Sequence, residues 1–428
     1  MADIRAESVS RAIPRFYRDA HSRPTDAFRP ASSAPPPRAP AGMLTRMTSA
    51  SHSHSELYIG LMSGTSLDGV DGVLVDFSGA HPVLVADAYA PFPPELRHAF
   101  LNLQHAGHDE IHREALAANA LASLYAECVE QLLRKSGCIR REIRAIGAHG
   151  QTIRHQPGAH DGLGYTRQTQ HAAVLAEHTG IDVIADFRSR DVAAGGQGAP
   201  LVPAVHRALF GLQDAWRVVC NIGGIANLTV LPPQASDARD TVLGFDCGPG
   251  NALLDHWVHT HHGHTFDRDG AWARTGHVDD ALLARLRAEP FFDLPPPKST
   301  GRDLFNPAWL KYRAGDALDR LRPQVVQATL LALTTDTIAD AVRRYAPQAN
   351  SLVICGGGAR NSALMDRLAA QLPGVDVAPS DQFGVPANQV EALAFAWLAR
   401  QCVRREPGNL HHATGASGPR VLGTIYPA

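Results

Sequence analysis

Leu57-Tyr58-Ile59-Gly60-Leu61-Met62 runs into Ser63-Gly64-Thr65-Ser66-Leu67-Asp68-Gly69 and out again through Val70 to Phe77, with Val70, Val73, Leu74 and Val75 apolar. An apolar run, a Gly/Ser/Thr tip and a second apolar run spell a β-hairpin, because glycine supplies turn conformations that other residues resist. The same grammar returns as Trp216 to Cys220, then Asn221-Ile222-Gly223-Gly224-Ile225-Ala226-Asn227, then Leu228 to Leu231. The two turns stand about 160 residues apart, so the chain reads as two related halves.

Around each hairpin, strand and helix signals alternate, which predicts two α/β lobes. The first half offers strands near 82–89, 143–148 and 181–186 and helices near 94–104, 109–135 and 171–179. The second offers strands near 241–246, 351–355 and 375–378 and helices near 250–260, 278–288, 322–346, 361–371 and 387–402. The lobes are placed at 57–214 and 215–428. Two Gly/hydroxyl loops facing each other let backbone N–H groups converge on a polyphosphate from both sides. A third element, Cys355-Gly356-Gly357-Gly358-Ala359-Arg360-Asn361, follows a strand and opens a helix; glycines there would let the backbone approach a purine ring. There is no Gly-x-x-x-x-Gly-Lys-Ser/Thr loop, and no Gly-x-Gly-x-x-Gly follows the first strand, so P-loop kinases and dinucleotide oxidoreductases are excluded.

Composition narrows the classes further. With 428 residues, 44% hydrophobic, and 40 Lys+Arg against 42 Asp+Glu, the chain can bury a large core and lacks the basic surplus of a nucleic-acid or membrane-surface binder. Polar residues interrupt every apolar run, so no membrane partner is expected. Cys128, Cys138, Cys220, Cys247, Cys355 and Cys402 form no zinc spacing and read as reduced thiols of a cytoplasmic protein. Seven of the 30 prolines fall in the first 40 residues, and residues 1–56 read as a disordered extension, or as lying upstream of a start at Met43 or Met47. Only Lys135, Lys298 and Lys311 are lysines, which singles out Lys298 in its Pro-Lys-Ser-Thr-Gly-Arg segment as a point charge near phosphate or part of a tight turn.

A larger set of motifs then comes together. Gly60 to Gly69, Gly150-Gln151-Thr152, Ala185-Asp186-Phe187-Arg188, Gly195 to Pro203, Asn221 to Gly224, Phe245-Asp246-Cys247-Gly248-Pro249-Gly250-Asn251, Phe266 to Gly270, Pro297 to Arg302, Gly356 to Asn361 and Glu391 to Trp397 occur in this order. With them the chain resembles the anhydro-N-acetylmuramic acid kinase family from about residue 57 to 428. The resemblance implies a two-lobed actin-like ATPase (ribonuclease H-like) fold with ATP in the interlobe cleft. It further implies a homodimer that opens the 1,6-anhydro ring of anhydro-N-acetylmuramate and moves the ATP γ-phosphoryl group to O6, in peptidoglycan recycling.

That chemistry assigns tasks. A carboxylate must help water attack C1 as the ring gains oxocarbenium character, while capture of phosphoryl replaces protonation of the leaving O6. Asp186 and Asp246 both end predicted strands, and physics alone does not separate them. Asp246 precedes a Gly-Pro-Gly-Asn helix start whose N–H groups could keep it ionised. The family's motif gives Asp246 the base role, and Glu391, which the family places in the substrate pocket, is expected as the second catalytic residue. Asp186, Arg188, Arg190 and Gln151 are expected at the sugar, with a guanidinium suited to the lactyl carboxylate. Gly64, Thr65, Ser66, Leu67, Asp68, Gly69, Val70 and Asp71, with Gly223, Gly224, Gly356, Gly357, Gly358 and Asn361, are expected at ATP. Mg²⁺ would be held through water by Asp68, with Asp71 as a second candidate. His149 and His155 either face the sugar or end their strand, and His256 to His264 read as a solvated helix end. Gln168-Thr169-Gln170 departs from the family's Gln-Ile-Gly, which bears on the sugar contacts. Two rival readings are a kinase of the same fold for another amino sugar and an actin-like nucleotide switch.

Overall fold

The computed structural model describes residues 56–64, 66–79, 81–236, 241–301 and 304–428, so the expectation for 1–56 lies outside the described residues except at Glu56. In chain order the first part forms β1 Leu57–Met62, β2 Gly69–Asp76, β3 Val83–Pro91, α1 Pro94–Leu103, α2 Glu110–Ser136, β4 Ile143–Ala148, β5 Gln151–Pro157 and β6 Gly164–Thr169. Then come α3 Ala172–Thr179, β7 Val183–Ala185, α4 Ser189–Ala193, α5 Val202–Phe210, β8 Arg217–Ile222, β9 Ile225–Leu231, β10 Leu243–Pro249 and α6 Ala252–His262. The chain finishes with α7 Asp280–Arg287, α8 Pro307–Ala314, α9 Ala317–Arg320, α10 Pro323–Tyr345, β11 Ser351–Cys355, α11 Ser362–Gln371, β12 Asp376–Pro379, α12 Val390–Val403, α13 His411–Thr414 and β13 Thr424–Tyr426.

Both predicted hairpins form, β1 with β2 and β8 with β9, each antiparallel. The first sheet has the order β13-β7-β4-β1-β2-β3 and the second β10-β9-β8-β11-β12. In each, three antiparallel strands (β1–β3, β8–β10) continue into parallel neighbours, β4 and β7 on one side of the molecule and β11 and β12 on the other. The strand order 3-2-1-4-5 thus occurs twice with the same strand directions, which is the duplicated arrangement of the actin-like ATPase fold.

The cores explain the layering. On the outer face of the first sheet, Phe100, Leu121, Tyr125 and Leu132 of α1 and α2 pack against Ile59, Leu61 and Ile146. Outside the second sheet, α6, α7, α10 and α11 bury Leu254, Leu282, Leu330 and Leu364 on Val218, Leu228 and Leu352. Between the sheets lies α12, whose Ala392 to Ala396 are all buried against Tyr58, Val73 and Ala145 on one side and Val219 and Val353 on the other. A helix apolar all round belongs in such a sandwiched position. Two glycines admit it: a Cβ on Gly60 would stand 1.9 Å from the Ala392 carbonyl oxygen, and one on Gly147 2.0 Å from that of Phe395.

Three differences from the sequence expectations stand out. The ribbon β5–β6 was not foreseen, because Gln151-Thr-Ile-Arg-His-Gln156 carries only one apolar residue and gives no alternating face. Residues 390–428, assigned by sequence to the second lobe, return to the first sheet: α12 packs on β1 and β4, and β13 pairs antiparallel with the edge strand β7, satisfying its free backbone groups. Finally, α10 is long and apolar enough to cross a membrane by length and composition, yet 94% of that stretch is buried inside the fold; its threonines and Gln327 break each apolar run without lowering the average much.

Candidate active site

The β1–β2 turn is held from beneath. The Ser63 hydroxyl shares a 3.0 Å hydrogen bond with the Tyr125 hydroxyl and donates to the Gly150 carbonyl at 3.1 Å, while Gln151 Nε2 donates to the Gly64 carbonyl at 3.2 Å. Gln151 is fully buried and supports the loop, which corrects its expected place at the sugar. Of the expected ATP residues, Gly64 and the exposed Ser66 and Asp68 face outward, with Ser66 Oγ donating to Asp68 Oδ1 at 2.6 Å. Leu67 and Val70 have buried side chains and Gly69 packs on β3, so they can offer backbone only; Thr65 lies outside the described residues. Leu67 carries φ 55°, a left-handed conformation that is uncommon for a non-glycine residue and strains the tip of this turn.

Asp71, on β2, is half-buried, and burial first, then Asp68, Glu391 and Asp87, pushes its carboxyl up to about 7. Among the described residues no group of three His, Cys, Asp or Glu could grip a metal directly.

The second turn behaves differently. The carbonyls of Gly223 and Gly224 accept the first N–H groups of α6 and its approach, from Gly250, Asn251 and Ala252, at 2.8–3.1 Å. A Cβ on Gly250 would stand 2.3 Å from the Gly223 oxygen, so the tight approach explains that glycine. The third loop packs on the second: a Cβ on Gly356 would meet Asn221 Oδ1 at 2.3 Å, and one on Gly358 the Ile222 side chain at 2.4 Å. Protein packing, rather than a purine, therefore demands those two glycines; Gly357 is the roomy one, with nothing nearer than Asn251 Nδ2 at 3.7 Å. Asn361 caps α11, its Oδ1 accepting from Leu364 N at 3.2 Å. The side chain expected at ATP thus closes a helix end.

Between these loops α12 presents Glu391, surrounded by protein yet open to solvent on its free side. Burial raises its carboxyl above the usual range, Arg188 opposes this, and Asp68 adds to it. Asn221 Nδ2 donates to Glu391 Oε1 at 3.4 Å. Arg188 is fixed on two sides: Nε donates to His149 Nε2 at 3.1 Å and an Nη to the Gly198 carbonyl at 2.8 Å. Burial brings this guanidinium down to about 10, while Glu391 and Asp191 push the other way. His149 is buried and lies over the Phe395 ring at 4.6 Å; burial, then the Arg188 charge, holds its imidazole well below the ordinary value, so it accepts from Arg188 as the neutral ring.

Asp186 follows β7 with φ 57°, and its Oδ1 accepts from Ser189 Oγ at 2.5 Å and Ser189 N at 3.3 Å. It thus binds the first turn of α4 and is exposed, while Arg190 on α4 is exposed with no ion pair among the described residues. The sequence reading missed Asp191, the buried hub of this loop: it accepts from Gly198 N at 2.8 Å, Asn409 Nδ2 at 2.6 Å and Thr414 Oγ1 at 2.8 Å. Gln168 and Gln170, at the departure from the family pattern, bond to Thr166 Oγ1 and to the Ala148 carbonyl, both at 2.8 Å. His155 bonds to Thr166 Oγ1 at 2.9 Å, and of the histidine-rich helix end His262 meets Trp272 edge to face, with ring centroids 4.5 Å apart.

Asp246 sits on β10 where the strand bulges, and Oδ2 accepts from Ser299 Oγ at 2.8 Å and Thr300 N at 2.9 Å. The expected stabilisation by helix N–H groups is corrected: those of α6 go to Gly223 and Gly224, and the loop 298–300 supplies the donors. Burial raises the Asp246 carboxyl, opposed by Thr300, Ser299 and the Lys298 charge in that order. Lys298 is bound to the Phe291 and Phe292 carbonyls, each at 3.1 Å, which assigns it to a turn. The structure therefore draws together Asp68, Asp71, Arg188, Asn221 and Glu391 and holds Asp246 on the edge strand of the second sheet, with no contact between Asp246 and Glu391 among the described residues.

A family model described as anhydro-N-acetylmuramic acid kinase matches residues 56–428. A curated anhydro-N-acetylmuramic acid kinase of Ralstonia nicotianae is 80% identical over 382 residues, 89% of this chain and 100% of that protein. One of Cupriavidus metallidurans is 63% identical, over 88% of this chain and 99% of its own. A third, from Variovorax paradoxus, is 57% identical over 87% and 99%.

Proposed function

Because the chain belongs to the anhydro-N-acetylmuramic acid kinase family, we propose that it hydrolyses the 1,6-anhydro ring of anhydro-N-acetylmuramate and phosphorylates O6, giving N-acetylmuramate 6-phosphate and ADP. The observation that carries the reading is Asp246, a carboxylate held through Oδ2 by two donors. Water attacks C1 and gives its proton to Asp246; the C1–O6 bond breaks, and O6 takes the γ-phosphoryl group as the bond to ADP breaks. Holding one oxygen fixes the carboxylate plane, and burial raises its basicity, both of which suit a general base.

Arg188 is assigned the lactyl carboxylate, using the end of the guanidinium turned away from His149 and Gly198. Glu391 and Asn221 complete the sugar side, with Asp186 and Arg190 at its exposed rim. The outward Gly64, Ser66 and Asp68, with Gly223, Gly224 and Gly357 opposite, are assigned to ATP. Mg²⁺ fits beside Asp68 and Asp71, where burial first and then neighbouring carboxylates raise Asp71; it would be held by phosphate and water and would neutralise charge on the transferred group. A cytoplasmic homodimer acting in peptidoglycan recycling belongs to the same proposal.

The test is incubation with ATP, Mg²⁺ and 1,6-anhydro-N-acetylmuramate, read by mass spectrometry. Formation of the 6-phosphate is expected. ATP binding with no sugar product would overturn the proposal and leave a kinase for another amino sugar, or a nucleotide switch, to be tried.

A further inference from the structure

Lysine is scarce here, three residues against 37 arginines, and Lys298 lies two residues from Thr300, a donor to Asp246. Its ammonium is tied three ways: to the carbonyls of Phe291 and Phe292, each at 3.1 Å, and over the Phe291 ring at 4.7 Å. Its own backbone carbonyl accepts from Asp246 N at 3.1 Å. Ser299 Oγ and Thr300 N, the next two residues, donate to Asp246 Oδ2.

We infer that Lys298 is a positioning residue for Asp246, clamping the loop 298–300 so that Ser299 and Thr300 meet the carboxylate in one fixed geometry. A compact ammonium suits this post, because it can reach two adjacent carbonyls and an aromatic face from one point. Among the described residues Lys298 is also the charge that acts on Asp246, while Lys298 itself faces Cys247, Arg344, Asp293 and Asp246. A cavity of ≈ 170 Å³ lined by Cys247, Lys298, Arg344 and Tyr345 adjoins the tether, giving room for a larger cation. The inference rests on Asp246 being the base.

The experiment compares unaltered enzyme, Lys298→Met, Lys298→Arg and Ser299→Ala in full-length protein, measuring the pH profile of sugar kcat/KM and the ATP KM. Removing the charge and the tether raises the Asp246 pKa, and a base must be ionised. The acid limb should therefore move up by about one pH unit in Lys298→Met, with turnover at least ~10-fold lower and ATP KM unchanged. Lys298→Arg should recover most of the shift, and Ser299→Ala should reproduce it without touching the tether. Lost turnover with an unmoved limb in Lys298→Met, or equal changes in both KM values, would overturn the inference. If the unaltered enzyme shows no sugar turnover, the functional reading fails by itself; the Asp246 carboxyl is then titrated by carbon-13 NMR in the same proteins, where an upward shift in Lys298→Met supports the positioning role and none refutes it.

Discussion

Replacing Gly60 by alanine tests how the fold delivers Glu391. The added methyl would stand 1.9 Å from the Ala392 carbonyl oxygen and 2.7 Å from Ala396 N, both backbone atoms of α12. Since real Cβ contacts essentially never fall below 3.0 Å, helix and strand must separate by at least about 1.1 Å. Neither partner can yield by a side-chain rotation: β1 is an interior strand of its sheet and α12 is packed between two sheets. Overpacking of this kind costs about 1–3 kcal/mol, and for a chain of this size each kcal/mol lowers the melting temperature by about 2 °C, so a fall of ~2–6 °C is expected. The displaced helix carries Glu391 with it, and a shift near 1 Å at a reacting centre costs about 100-fold in turnover. Thermal melting followed by circular dichroism and initial rates of ADP release measure the two effects. Gly79→Ala, whose methyl would meet nothing nearer than 3.5 Å, serves as control. Melting within about 1 °C of the unaltered protein, with normal turnover, would refute the close-packing argument.

Asp71→Asn should stabilise the protein at alkaline pH. The folded carboxyl lies near 7 against 3.8 unfolded, so its contribution is present below 3.8 and lost as pH rises through 7. The gain in melting temperature without Mg²⁺ should be largest above pH 7 and vanish toward pH 3.8; a gain independent of pH would contradict this. His149→Phe keeps the stack on Phe395 but removes the acceptor for Arg188 Nε. A lost hydrogen bond to a charged group, about 1.5–3 kcal/mol, should raise sugar KM by ~10–150-fold with ATP KM unmoved, and equal effects on both would count against the assignment of Arg188.

The duplicated lobes were legible because a hairpin is a local object: Gly64 and Gly223 each sit between two apolar runs. Asp246 and Glu391 were singled out by the motifs around them, and their roles belong to the proposed function. Illegible was whatever joins distant segments. The donors to Asp246 lie 53 and 54 residues on, at Ser299 and Thr300. Asp191 takes its partners from Asn409 and Thr414, more than 200 residues away, with no local pattern to announce them. Gly356 and Gly358 were read as room for a ligand; they are room for Asn221 and Ile222, since glycine in a sequence says only that something comes close, not what. Gln151 was placed at the sugar by its motif, whereas its burial beneath Gly64 depends on the β5–β6 ribbon, which polar residues concealed.

The central claim is that Asp246 acts as the base of a ring-opening phosphoryl transfer. Its most direct test is the rate at which Asp246→Asn forms N-acetylmuramate 6-phosphate from ATP and the anhydro sugar, with ATP affinity measured in parallel by calorimetry. Asparagine can still accept from Ser299 and Thr300 but cannot take a proton from water. Unchanged ATP affinity with turnover at least ~100-fold lower is the expected result. Turnover that survives the substitution would contradict the account and pass the base role to Asp186.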